Sequence, residues 1–392
     1  MGDSPRKIIL PVIVVSQFFC TSLWFAGNAI LGNIITTFSL DPGILANLTS
    51  SVQFGFIAGT FVFAVLTIAD RFSPSRVFFF SSIIAAVCNI GITTHSIGLV
   101  GLLTSRFLTG FFLAGIYPVG MKIASDHYQK GLGKSLGFLV GALVVGTGFP
   151  HLLKSIISDL PWKTVAYSTS GLSLMGGLAM ILLVPDGPFR KRSRQLELTS
   201  FLKGYSNTNF RAASLGYFGH MWEVYTFWAF VPVMLATFGT QLADFNINIP
   251  LLSFVIIAAG GPACVLGGLL SLRYGPKRIA TLALLLSCLC CICSPIFLLG
   301  SSTFLLIAFL FFWGMVVAAD SPLFSTLVAQ NAAEETRGSA LTITNCIGFS
   351  ITIISIQFTN LLIQYVNVQL VFVALAIGPI LGLIALLRNK TR

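Results

Sequence analysis

Apolar residues along this chain come in long unbroken blocks, without the strict alternation of a half-buried strand. Twelve blocks stand out, over roughly 8–36, 44–68, 77–95, 98–122, 134–157, 164–184, 211–237, 250–272, 279–299, 303–328, 338–362 and 367–387. Most approach the ~20 apolar residues that a helix needs to cross hydrocarbon. A transmembrane barrel would show segments of ~10 alternating residues, so helices are the spanning element. The connections are short apart from the stretch between Pro185 and Asn209. The pattern therefore predicts an all-α membrane protein of twelve transmembrane helices. A six-helix bundle over 1–184 is joined by a basic linker, 185–210, to a second bundle over 211–392. The first block follows Arg6 and Lys7 and reaches Phe38, too long for a cleaved signal segment.

Composition agrees. Of the 392 residues 55% are hydrophobic and 9% charged, against ~25% charged in soluble domains, which excludes a water-soluble globule and also a disordered chain. The net charge of +11 does not form a nucleic-acid face, because the basic residues sit between the apolar blocks. On one side lie Arg6, Lys7, Arg71, Arg76, Lys122, Lys130, Lys134, the linker cluster Arg190, Lys191, Arg192, Arg194 and Lys203, then Arg211, Arg273, Lys277, Arg278, Arg337, Arg388, Lys390 and Arg392. Only Lys154 and Lys163 fall on the other side, and Arg106 lies within a block. The positive-inside rule then puts both termini in the cytoplasm. The eight cysteines all lie in apolar stretches, so no disulfide framework is expected. The cluster from Cys288 to Cys293 has no His or carboxylate beside it and reads as packing, so no metal or cofactor is expected.

The two halves repeat one another. Arg71, Pro74 and Arg76 recur as Arg273, Pro276 and Arg278, 202 residues on, while Trp24, Gly110 and Pro118 recur as Trp228, Gly314 and Pro322, 204 residues on. A near-constant offset across three pairs of spans argues for a duplicated six-helix unit.

With Asp70-Arg71 after span 2, and Gly268, Arg273, Gly275, Lys277 and Arg278 after span 8, the chain resembles the major facilitator superfamily over essentially its whole length. Arg106, Gly110 and Gly115 in span 4 match a second mark of that family. Both glycines of the first loop are missing after span 2, Leu272 replaces the aspartate after span 8, and Ala142 stands where the antiporter pattern of span 5, here Gly137 and Gly141, has proline. The resemblance implies two pseudo-symmetric bundles around a central cavity lined by spans 1, 4, 7 and 10. It also implies a gate made by Asp70, Arg71, Arg76, Arg273, Lys277 and Arg278. A carboxylate among basic groups at helix ends can hold those ends together in one conformation and release them in another. The alternative is that Arg71 and Arg76 only anchor orientation.

Charged groups deep in a span cost at least ~2.5–3.5 kcal/mol and are functional candidates by default. Glu223 and Asp320 are such acids, and Arg106 and His220 such bases. His220 and Glu223 lie three apart on one helix face, so Glu223 reads as a protonatable carboxylate tuned by His220, or as a structural pair. Asp320, two residues before Pro322, is either a second proton carrier or a ligand for backbone groups freed at the proline. Arg106 suits recognition of a carboxylate or phosphate, with Tyr117 eleven residues on and close to the same face; an internal salt bridge to Glu223 or Asp320 is the other reading. Trp24, Asn28, Trp228, Asn345 and Gln357 are further polar or amphipathic positions for a solute, and His151 after Pro150 is ambiguous. Arg106, Glu223 and Asp320 are expected to face one central cavity, with Glu223 leading the coupling.

The implied function is a secondary active transporter moving a small organic solute, an organic anion by the Arg106 argument, by alternating access with protons. It would work as a monomer in the lipid bilayer of a bacterial inner membrane. Efflux of drugs or metabolites in exchange for protons is the alternative. A non-transporting sensor is a different class, and so is an intramembrane enzyme, but His220-Met221-Trp222-Glu223 lacks the spacing of a metallohydrolase motif.

Overall fold

The computed structural model describes residues 8–94, 97–128, 132–157, 160–190, 202, 204–240, 247–333 and 337–388. Of the orientation-setting residues, Arg6, Lys7, Lys130, Lys191, Arg192, Arg194, Lys203, Lys390, Arg392 and the side chain of Lys134 lie outside the described residues. Among the described residues, eleven helices are long and apolar enough to cross a membrane. The first block supplies the remaining span in three pieces, Ile9–Thr21, Ala26–Ala29 and Leu31–Phe38. The others, spans 2 to 12, are Ile44–Val65, Pro74–Gly91, Gly98–His127, Leu132–Ile156, Lys163–Leu183, Thr208–Gly239, Ile249–Tyr274, Pro276–Leu298, Thr303–Asn331, Arg337–Ile363 and Val368–Arg388. They overlap the twelve blocks one for one, because long apolar runs in hydrocarbon must satisfy their backbone internally.

Helix pairing repeats between the halves. Spans 1 and 5, 1 and 6, 2 and 4, 3 and 4, and 3 and 6 pack together, and so do 7 and 11, 7 and 12, 8 and 10, 9 and 10, and 9 and 12. Glycine sets one of these crossings twice. A methyl group at Gly110 would lie 2.0 Å from Val52 O, and one at Gly314 would lie 2.1 Å from Ile256 O. Both partners are 204 residues apart, so the backbones of spans 2 and 4 touch just as those of 8 and 10 do. The repeat diverges before spans 3 and 9, where proline opens each helix. Gly275 precedes Pro276 with φ +85°, whereas Ser73 precedes Pro74 with φ −58° and donates its hydroxyl to Asp186 Oδ1 at 2.6 Å.

The halves meet along two seams, span 2 with 11 and span 5 with 8. Away from the basic side, Gln357 Nε2 donates to Asn47 Oδ1 (3.2 Å) and Ser50 Oγ (3.0 Å), and Asn248 Nδ2 donates to Ser155 Oγ (2.7 Å). Spans 5 and 8 come close because a methyl group at Gly141 would lie 2.9 Å from Gly261 O. One end of the molecule is thus sealed. The sequence pattern marks the other end as the basic face.

Candidate functional site

A cavity of about 740 Å³ runs inward from the basic face between the halves. Asp70, Lys122 and Arg337 stand at its mouth; Tyr117, Tyr217, Trp228 and Asn345 line it more deeply. Its closed end is an aromatic plug drawn from both halves. Trp24 of span 1 and Phe56 of span 2 meet Tyr225 of span 7 and Phe349 of span 11. Their ring centroids lie 4.9 Å apart for Trp24–Phe56, 5.7 Å for Trp24–Tyr225, 5.8 Å for Trp24–Phe349 and 4.5 Å for Phe56–Phe349. Burial of large rings with weak directional preference can hold a seam without fixed polar partners.

Two helix breaks build the chemistry beside the cavity. Span 10 breaks at Asp320, between Thr303–Ala319 and Ser321–Asn331. Pro322 has no N–H for the carbonyl of Ala318, and the thiol of Cys264 donates to that oxygen at 3.0 Å. The backbone N–H of Asp320 also bonds that oxygen, while its carboxylate turns elsewhere. Its Oδ1 lies 2.8 Å from His220 Nδ1, and His220 Nε2 lies 2.9 Å from Ser321 Oγ. His220 and Ser321 line the cavity while Asp320 is wholly buried behind them. The dyad joins spans 7 and 10.

The second break, in span 1, belongs to Arg106. Between Thr21 and Ala26 the backbone shifts to three-residue bonds, Leu23 N to Cys20 O and Trp24 N to Thr21 O. Arg106 Nη1 and Nη2 both donate to Leu23 O, at 3.2 and 3.3 Å; Nη2 also donates to Trp24 O, and Nη1 to Asn89 Oδ1 at 3.1 Å. A cation at the C-terminal end of a helix segment gains from the carbonyls left open there. Arg106 is fully buried within the first half and does not line the cavity. In this conformation it stands apart from the cavity where a solute was expected, and it pairs with neither Glu223 nor Asp320: Leu23, Trp24 and Asn89 engage its planar fork.

Glu223 also departs from expectation. It sits behind the cavity wall, 1% exposed, where Oε1 accepts from Trp313 Nε1 (2.6 Å), Cys291 Sγ (3.2 Å) and Ser287 Oγ. Three residues along a helix is roughly 300° of rotation, a shared flank rather than a shared partner, and His220 turns to Asp320 instead. Among the solute candidates, Tyr117, Trp228 and Asn345 line the cavity. Trp24 lies in the plug, Asn28 donates to Thr49 Oγ1 at 2.8 Å, and Gln357 belongs to the sealed end. In this conformation these three positions belong to the closure and not to the lining of the cavity.

At the basic end Asp70 Oδ1 lies 3.0 Å from Lys122 Nζ, which is 3.6 Å from Asp126 Oδ1. Arg71 donates to Thr67 Oγ1 at 3.1 Å and Arg273 lies over the ring of Tyr274. Lys277, together with exposed Arg76 and Arg278, occupies the start of spans 3 and 9. The Asp70 contact joins spans 2 and 4 inside the first half, so it does not bridge the halves here. Lys122 was missed as the partner of Asp70; its four-residue spacing from Asp126 was the available signal. Ser321 and the tyrosines of span 7 carried no signal beyond sitting next to Asp320 and His220.

The sequence model described as Major Facilitator Superfamily matches residues 13–208 and 213–392. No curated protein sequence matches significantly. Among solved structures, the human organic anion transporter MFSD10 (TETRAN) is similar at TM-score 0.74 and 13% identity, covering 97% of this chain and 99% of its own. The proton:xylose symporter XylE bound to 6-bromo-6-deoxy-D-glucose is similar at TM-score 0.76 and 11% identity, covering 98% of this chain and 95% of its own. At such identities these likenesses speak to the fold.

Proposed function

The chain belongs to the major facilitator superfamily, and on that premise we propose that it is a proton-coupled secondary transporter of a small organic solute, with His220 and Asp320 as the coupling pair. The basic face is cytoplasmic by the positive-inside rule, so the cavity opens inward and the sealed end faces outward. Residues 1–184 and 211–392 are the two rocking bodies and 185–210 the linker, in a bacterial cytoplasmic membrane.

The observation that carries the reading is the placement of the dyad. His220 reaches the cavity and Asp320 lies behind it at a helix break, so a proton entering from the cavity changes the charge at the joint between spans 7 and 10. With one proton the pair is a neutral ion pair or its neutral tautomer; without it, a carboxylate is left in an apolar setting that disfavours it. The protonation state and the conformation are then linked by one free energy.

Arg106 no longer supports an anion, so the solute class is set by the lining itself. Tyrosine rings, Trp228 and Asn345 suit an organic solute with apolar faces and hydrogen-bonding groups. MFSD10 is named for organic anions and XylE for xylose with protons; both are compatible with a cavity of this kind. Counterflow of a panel of small organic solutes in proteoliposomes, with and without an imposed pH gradient, tests the reading. Wild type is expected to accumulate at least one solute against its gradient. Asp320→Asn is expected to lose that accumulation by about tenfold or more while still exchanging the solute. Accumulation by Asp320→Asn under the imposed pH gradient at the wild-type level would remove the dyad from the mechanism.

A further inference from the structure

Beyond the plug, on the sealed side, the helix faces that line the cavity continue as a set of polar side chains. On span 5, Val140 and Val144 line the cavity, and the same face carried onward by helical steps presents Thr147 and His151. On span 2, Thr60 lines the cavity and Phe56 closes it; the next steps on that face are Gln53 and Thr49. On span 1, Trp24 of the plug is followed four residues on by Asn28, whose amide donates to Thr49. The short piece Ala26–Ala29 packs against both span 2 and span 5, so these faces adjoin.

Trp24 Nε1, Asn28 Oδ1, both amide atoms of Gln53, Thr147 Oγ1 and His151 Nε2 are buried with no hydrogen-bond partner among the described residues. None of the five side chains is more than 7% exposed. Buried polar atoms are nearly always paired, and an unpaired one costs free energy. A group of them on the continuation of a transport pathway fits groups whose partners arrive in another conformation.

We infer that Trp24, Asn28, Gln53, Thr147 and His151 form a second hydrogen-bonding site, buried while the cavity opens inward and exposed when the outer end parts, for an uncharged solute bearing several hydroxyl groups. The inference rests on the transport reading and narrows its solute class. The unpaired atoms supply donors (an indole and an amide N–H), acceptors (two amide oxygens), a hydroxyl that does both and an imidazole nitrogen. Each hydroxyl of a polyol both donates and accepts, so it matches such a mixed set, while its C–H faces can lie on the rings of Trp24 and Phe56. None of the five is a carboxylate or a permanent cation. Arg106 on span 4 has Nη1 and Nη2 engaged by Leu23, Trp24 and Asn89, and its remaining Nε, unpaired, lies against Gly27 within the first half.

Single-cysteine additions test this in membrane vesicles, using a membrane-impermeant maleimide with the native thiols of the wild-type chain as background. In right-side-out vesicles Gln53→Cys and Thr147→Cys are expected to label above background, and sorbitol is expected to slow that labelling about fivefold or more where gluconate, its carboxylate counterpart, does not. Two positions are used so that poor folding of one variant leaves the other as the probe. Absence of labelling at both, labelling that neither compound slows, or protection by gluconate but not sorbitol would overturn the inference. Asn345→Cys in inverted vesicles separates this from the transport reading. Labelling there shows the inward-open cavity whatever the outer positions do, and its absence would overturn the cavity itself.

Discussion

His220 Nδ1 and Asp320 Oδ1 lie 2.8 Å apart, across the joint between spans 7 and 10, and only the imidazole side of the pair reaches the cavity. An imidazole is the side chain most often used as a proton carrier between pH 5 and 8, and this one lines the cavity while its partner stays behind it. His220→Gln keeps a hydrogen-bonding side chain but removes the ring that can hold a proton. Solute exchange is expected to depend on pH in wild type over this range and to become nearly flat in His220→Gln. Exchange rates measured at equal pH on both sides, in steps from about pH 5 to 8, check this; an unchanged profile would place the titrating group elsewhere.

Arg106 is expected to matter for stability and little for solute affinity. Arg106→Leu removes the guanidinium from the carbonyls of Leu23 and Trp24 and from the amide oxygen of Asn89, leaving Leu23 O with only the 3.4 Å bond from Ala26 N. Charged hydrogen bonds are worth about 1.5–3 kcal/mol each, and the three contacts are not additive. Thermal unfolding in detergent should show a loss on the order of 3 kcal/mol, with the KM of residual transport within about twofold of wild type. A large KM change at unchanged stability would restore Arg106 as a solute ligand.

Glu223→Gln is expected to keep gradient-driven accumulation, in contrast to Asp320→Asn. The carboxylate meets Ser287, Cys291 and Trp313 in the second half, away from the cavity, and so positions spans 7, 9 and 10 on one another. The amide retains an acceptor oxygen for these donors, so the stability loss should be about 1–2 kcal/mol. Parallel accumulation assays on the two variants decide the assignment. Loss of coupling in Glu223→Gln alone would return the proton role to Glu223.

Gly110→Ala and Gly314→Ala should be damaging to similar degrees, since each methyl group would meet a carbonyl oxygen, of Val52 or Ile256, at about 2 Å. Forcing such crossings apart costs about 1–3 kcal/mol or more. Gly171→Ala, where nothing lies within 4 Å of the added carbon, serves as the neutral control. Melting temperatures of the three variants measure the difference, and a fall in Gly171→Ala equal to the other two would discount the close-crossing argument.

The long apolar runs determined the twelve spans to within a few residues, and the spacing of Gly110 and Gly314 marked a repeat that the packing shows at the same two crossings. Both are local or nearly periodic properties: hydrocarbon demands helices, and close helix contact demands small residues wherever it occurs. Intramembrane charge likewise singled out Arg106, His220, Glu223 and Asp320. Which of them face the cavity was a matter of helix rotation and of breaks at Leu23 and Asp320, and these follow from contacts between residues far apart in sequence. Cys264 and the backbone N–H of Asp320 share the carbonyl that Pro322 frees, while the Asp320 carboxylate meets His220; the opened turn of span 1 takes Arg106, which leaves the cavity without it. A buried polar group goes to whichever partner the packing brings within about 3 Å, and that choice was made only by the tertiary structure.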